Sequence, residues 1–185
     1  MALFLAGMAL VIFDFNLSAG GATVGILPDT VGYLLLLLSL EKDGIFRKKR
    51  DMRRILAAAA AVNLVIYVLN LSGAANWAQG WVTTGMDILS FGVEVTVTWM
   101  YIRQLRSFDL TVKQQDARRL FSAWRLYVIF EAVSFLSMIS PASALLLFGF
   151  AIVADIYFLV MLFRYMRHVV RGIDGVYYGR RRHLD

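Results

Sequence analysis

The chain has 185 residues, enough for one domain; 59% are hydrophobic, 17% are charged and the mean hydropathy is +0.65. A soluble domain is nearer half apolar and a quarter charged, so the balance points to lipid as the solvent. There is no Cys, and the two His, His168 and His183, lie in a polar C-terminal segment. Disulfides, thiolate metal sites and a His-rich metal site within the apolar part are thereby excluded. The net charge is +6, and the placement of the basic residues says more than their sum.

Apolar runs at 2–17, 28–40, 55–71, 83–102, 120–139 and 142–163 predict six membrane-crossing helices. A crossing helix needs roughly 20 apolar residues, so the first two runs are short and require either extension or a thinned, protein-lined setting. Turn material separates the runs at Ser18-Ala19-Gly20-Gly21, Ser72-Gly73 and Ser140-Pro141. The small residues Ser18-Ala19-Gly20 resemble a signal-peptide cleavage site. Residues 1–11 carry no Lys or Arg, however, and Asp14 interrupts the apolar run, so the segment is expected to stay in place.

All nineteen Lys and Arg fall in three groups, at 42–54, 103–125 and 164–182. Basic residues collect in cytoplasmic loops. Six spans put all three groups on one side, whereas an odd number scatters them. The expected fold is therefore an all-α polytopic transmembrane bundle. It has three outward-pointing hairpins, both termini inside and a basic cytoplasmic tail at 164–185. Trp77 and Trp81 at the outer boundary and Trp99, Tyr101 and Trp124 near the inner one fit an aromatic belt. The second and third hairpins share a pattern. Each opens with Arg-Arg (Arg53-Arg54, Arg118-Arg119) and returns with an acid and two Arg (Glu94, Arg103, Arg106; Asp155, Arg164, Arg167). An internal repeat and chance both account for it, since Arg is expected at inner helix ends anyway.

Six of the thirteen acids lie within the predicted spans: Asp14, Asp29, Asp87, Glu94, Glu131 and Asp155. At ~1.5 Å per residue, the first three come roughly 2–9 Å below the outer ends, and Glu94, Glu131 and Asp155 roughly 15–21 Å below, near mid-bilayer. Asn63 falls at a similar depth. A mid-bilayer acid costs about 2.5–3.5 kcal/mol, so such groups face a bundle interior or a water-filled path. No Lys or Arg lies deep enough to pair with them, which leaves protonation or a bound cation to neutralise them. Asp87, Ser90, Glu94 and Thr98 share a helix face and make a polar stripe from the outer surface inward. Such a stripe is either an entry path for a proton, metal ion or cationic solute, or a set of interhelical hydrogen bonds. For Glu131, Ser134 and Ser137 on the same stretch favour the packing reading.

In the first hairpin, Pro28 suits the first turn of a helix, Asp29 the positive end of its dipole, and Gly32 a close helix approach. Asp14 sits near a helix end where an anion is disfavoured. It is expected either to clasp the free N–H groups that begin the second span or to form an outer ligand site. Phe13-Asp14-Phe15-Asn16 followed by Leu27-Pro28-Asp29-x-x-Gly32-Tyr33 resembles a family of small bacterial multi-pass membrane proteins. The resemblance covers about the first 40 residues, with Thr30-Val31 standing where Phe-Ile is the family's pattern. It implies a bacterial cytoplasmic membrane and no particular activity. Size and span count are also similar to the substrate-binding subunits of energy-coupling-factor vitamin transporters, for which Ala2/Ala6 or Ala57/Ala61 would dock a partner helix.

Gly-x-Ser-x-Gly, His-Glu-x-x-His and phosphate-loop patterns are all missing, and no His lies in a span. The leading expectation is a membrane transport protein, or its binding subunit, for a small cationic or protonatable solute. Glu94, Asp155, Glu131 and Asn63 form the site, and Asp87 the entrance. The alternatives are a scaffold or assembly subunit, and a carboxylate-based enzyme pairing Glu131 with Asp155 or Glu94. No cofactor is expected. The expected partners are the bilayer, anionic lipid at the basic inner face, and a second subunit or copy. Nucleic acid is not among them, because no aromatic platform is interleaved with the basic runs.

Overall fold

The computed structural model describes residues 1–13, 16–19, 22–25, 29–42, 49–71, 81–106, 114–134 and 141–181. Six helices and one short hairpin form within them. In chain order these are α1 (Ala2–Ile12), β1 (Asn16–Ala19), β2 (Ala22–Gly25), α2 (Asp29–Lys42), α3 (Lys49–Leu71), α4 (Trp81–Arg106), α5 (Gln114–Ser134) and α6 (Pro141–Arg181). Each predicted span overlaps one helix within the described residues. Two stretches, Arg50–Leu69 in α3 and Gly149–Val170 in α6, are long and apolar enough to cross a membrane. Only 28% and 39% of those stretches is buried. Leu64, Val65 and Val68 on α3, and Phe150, Val153 and Ile156 on α6, are exposed. The core helix of a soluble protein would bury such residues; contiguous apolar exposure marks contact with lipid or another protein.

The other helices miss that standard for visible reasons. At 11 residues, α1 is about 16 Å long against a hydrocarbon core of about 30 Å. α4 is long but carries Asp87, Glu94 and four Thr among its residues. α5 opens with Gln114-Gln115-Asp116 and a run of Arg.

The first predicted span is shorter as a helix than its apolar run. Phe13 caps α1 in an extended conformation (φ −89°, ψ 98°), and its N–H donates to the Ala9 carbonyl at 2.9 Å. β1 then takes 16–19 and pairs antiparallel with β2, from Asn16↔Gly25 to Ala19↔Ala22, where a simple turn was expected. The cause lies in Phe13-Asp14-Phe15-Asn16: aromatic, Asp and Asn residues are poor helix formers, and Asp and Asn compete for backbone hydrogen bonds. Asp14, Ser72-Gly73 and Trp77 lie outside the described residues. At the other end α6 runs through most of the predicted tail and, at 41 residues, is about 60 Å long, twice the hydrocarbon core.

The chain divides into two compact units, Met1–Gln104 and Leu105–Asp185. In the first, α1 packs on α2 and α2 on α3. Gly7 and Gly32 make the α1–α2 crossing possible. A Cβ on Gly32 would sit 2.7 Å from Val11 Cγ2 and 3.0 Å from the Gly7 carbonyl; one on Gly7 would sit 2.9 Å from the Gly32 carbonyl. Phe4 of α1 meets Tyr101 of α4 with ring centroids 5.0 Å apart. In the second unit α5 packs along α6 through stacked rings, Tyr127 on Phe158 (5.3 Å) and Phe130 on Phe150 (5.8 Å). The buried Tyr165 hydroxyl donates to the Leu105 carbonyl at 3.1 Å, which ties α6 to the last turn of α4.

Candidate functional site

The predicted polar stripe on α4 changes character along its length. Asp87 is exposed, Ser90 and Glu94 are half-buried and Thr98 is fully buried. The Ser90 hydroxyl donates to Asn63 Oδ1 on α3 at 2.8 Å. Asn63 is 5% exposed; its Nδ2 donates to the Ala59 carbonyl at 3.1 Å, and its amide also reaches the Tyr33 hydroxyl on α2. Glu94 and Asp29 both lie within electrostatic range of that hydroxyl. Tyr33, Asn63 and Ser90 thus join α2, α3 and α4 in one clasp, and the carboxyl groups of Glu94 and Asp29 both act on the Tyr33 hydroxyl. Thr98 returns its hydroxyl to the carbonyls of Glu94 (2.9 Å) and Val95 (3.1 Å), so its polarity is spent within its own helix.

The second unit holds Glu131 and Asp155, the other two acids that the sequence reading expects at mid-depth. On α5 Glu131 is one turn beyond Tyr127; on α6 Asp155 is one turn before Phe158. Since the Tyr127 and Phe158 rings stack and the helices run antiparallel, that shared step brings the two carboxyl groups to the same level. They are close enough to interact electrostatically. Asp155 is 5% exposed, and its Oδ1 has no hydrogen-bond partner among the described residues. A buried, unsatisfied carboxyl oxygen normally costs more than an ordinary lost hydrogen bond.

Sequence-predicted site residues are thus distributed between the units. Asn63, Glu94 and Asp29 gather around Tyr33 in the first, and Glu131 and Asp155 meet in the second. Among the described residues no three His, Cys, Asp or Glu side chains come together as a metal-binding group. A two-carboxyl site suits a proton, a monovalent ion or an organic ammonium better than a divalent metal, which takes six or more oxygen ligands.

Sequence reasoning did not single out Tyr33 as a partner of Asn63. The available signal was its position four residues after Asp29, on the same helix face. An apolar groove of about 600 Å³ between α3 and α4 was also not anticipated; Ile55, Ala58, Val62, Gly85, Ile88 and Gly92 are among its lining. Glu94 does not line it. Ala57 and Ala61, suggested as a docking surface, are exposed on α3, as are Ala2 and Ala6 on α1.

Fold and site define a helical protein that has two helices long and apolar enough to cross a membrane, with a buried Asp155 within electrostatic range of the half-buried Glu131. Comparison with protein-family models, with curated proteins and with solved structures gives no match to this chain. Its functional reading rests on its own geometry.

Proposed function

We propose that the chain is a multi-pass protein of the bacterial cytoplasmic membrane, with six spans and both termini inside, that binds and moves a small cationic or protonatable solute, alone or as the binding subunit of a transporter. Glu131 and Asp155 hold the positive charge. Glu94, within electrostatic range of Tyr33, is a second polar station, and Asp29 and Asp87 give the outer rim its negative charge.

The observation that supports this is Asp155, an acid that is 5% exposed, interacts electrostatically with Glu131 and has an Oδ1 without a hydrogen-bond partner among the described residues. A carboxyl group kept for packing would be bonded to a neighbouring Ser, Asn or backbone group, as Asn63 is. A cation or a shared proton supplies the missing counterpart.

Purified protein tests this through its thermal unfolding with sodium, potassium and methylammonium at constant ionic strength. A ligand at about 100 times its Kd raises native-state stability by about 2.7 kcal/mol. At least one of these cations is expected to stabilise the protein, and Asp155→Asn is expected to abolish that response without lowering basal stability. Equal responses in the original and the Asp155→Asn protein count against the proposal.

The Ser90–Asn63 bond favours a second reading, in which the polar groups of the first unit fix helix rotation within a scaffold or assembly subunit. That reading predicts a partner subunit that co-purifies in detergent and a protein indifferent to all three cations.

A further inference from the structure

The C-terminal unit carries a second polar constellation, at the end where the basic residues collect. Phe121 on α5 has two guanidinium groups against its ring: Arg125, with Cζ 4.3 Å from the centroid, and Arg106, the last residue of α4, at 5.7 Å. Trp124 stacks on the same ring at 5.8 Å. Arg118 falls on the same face of α5, three residues before Phe121 and seven before Arg125. Arg106, Arg118 and Arg125 are all exposed, and among the described residues neither Arg106 nor Arg125 has an acid partner. A ring face steadies a guanidinium but leaves its charge in place, and its N–H edge remains open to acceptors. Two such groups against one ring concentrate positive charge where an anion can be held.

We propose that Arg106 and Arg125, positioned by Phe121, form a binding site for the phosphate of an anionic membrane lipid. The proposal rests on the reading that α4 and α5 end at a membrane surface, which the proposed function shares, but not on transport. The level favours a lipid over a soluble phosphate. Arg125 lies about 8 Å along α5 from Leu120, where the apolar run begins, and Trp124 beside it is the residue type that settles at headgroup depth. The guanidinium fork matches two phosphate oxygens at once, and the half-buried Phe121 and Trp124 rings offer apolar surface to the acyl chains below.

The test uses the full-length protein in neutral detergent. Thermal unfolding is followed on addition of phosphatidylglycerol, phosphatidylcholine or inorganic phosphate, and lipid retention is read by native mass spectrometry. Phosphatidylglycerol is expected to stabilise the protein and remain bound, while phosphatidylcholine and inorganic phosphate leave it unchanged. Arg106→Gln with Arg125→Gln is expected to weaken phosphatidylglycerol binding about tenfold or more, each basic group near a surface contributing about 1 kcal/mol. The matched charge loss Arg180→Gln with Arg181→Gln in the tail is expected to leave it intact. Arg106→Lys with Arg125→Lys, which keeps the charge and loses the fork, should fall between the two and serves if the Gln variant does not fold. Equal loss from the tail variant, or full retention in the Lys variant, overturns the site in favour of diffuse charge. Stabilisation by inorganic phosphate overturns the lipid as ligand. A cation response that survives in Arg106→Gln/Arg125→Gln separates this site from the carboxyl pair.

Discussion

Within Met1–Gln104, helices approach through small residues and satisfied polar groups: Gly7 against Gly32, and Tyr33–Asn63–Ser90 across α2, α3 and α4. Within Leu105–Asp185 they meet through stacked rings, Tyr127 on Phe158 and Phe130 on Phe150, with Asp155 buried among them and its Oδ1 unsatisfied. Close backbone approach and interhelical hydrogen bonds hold helices together where the solvent is as apolar as the side chains. Aromatic stacks do the same with large, directional contacts. The Tyr33–Asn63–Ser90 group commits its polar atoms to packing, although Thr30 Oγ1 in the same unit is also buried without a hydrogen-bond partner among the described residues. In the C-terminal unit the group left without a hydrogen-bond partner among the described residues is a carboxyl oxygen, Asp155 Oδ1.

The largest expected effect breaks the aromatic packing. Phe158→Ala removes a fully buried ring and is expected to cost about 3–5 kcal/mol; the unfolding midpoint in mixed detergent micelles measures it. Next, Gly32→Leu attacks the close approach, where Val11 and the Gly7 carbonyl leave no room for a Cβ. Overpacking there is expected to cost about 1–3 kcal/mol or more. Gly85→Leu, at a position with nothing within 4 Å of its Cβ, is the control and should change stability little. The smallest effect sharpens the comparison rather than breaking it. Ser90→Ala removes one interhelical hydrogen bond, worth about 0.6 kcal/mol on average between membrane helices. A loss above about 2 kcal/mol would mean that the clasp, rather than the glycine crossing, organises the first unit.

The apolar runs located the helices, because segment length and hydropathy are properties of consecutive residues. Gly32 was legible as a point of close approach, but its counterpart was not: Gly7 stands in Ala6-Gly7-Met8, where nothing distinguishes it from other small residues. The early end of α1 and the β-hairpin after it were hidden by counting Phe13 and Phe15 as apolar without weighing their low helix propensity. An expected depth could be assigned from sequence, with Glu94, Glu131 and Asp155 each near the middle of its own predicted span. Neighbourhood could not, because it depends on which helices pack and at what rotation. The electrostatic pairing of Glu131 with Asp155 follows from the antiparallel register of α5 and α6, and that of Glu94 with Tyr33 from the packing of α2, α3 and α4. The Arg106–Phe121–Arg125 cluster was half legible, since Phe121 and Arg125 are one turn apart; Arg106 joins them only through the fold.

Carbodiimide labelling of the purified protein, read by peptide mass spectrometry, tests the carboxyl pair most directly, since the reagent partitions into apolar surroundings and modifies protonated carboxyl groups there. The account predicts modification at Asp155 or Glu131, slowed by the same cation that stabilises the protein and eliminated by Asp155→Asn with Glu131→Gln. Labelling that occurs at neither residue, or proceeds at one rate with and without every cation tried, would contradict it.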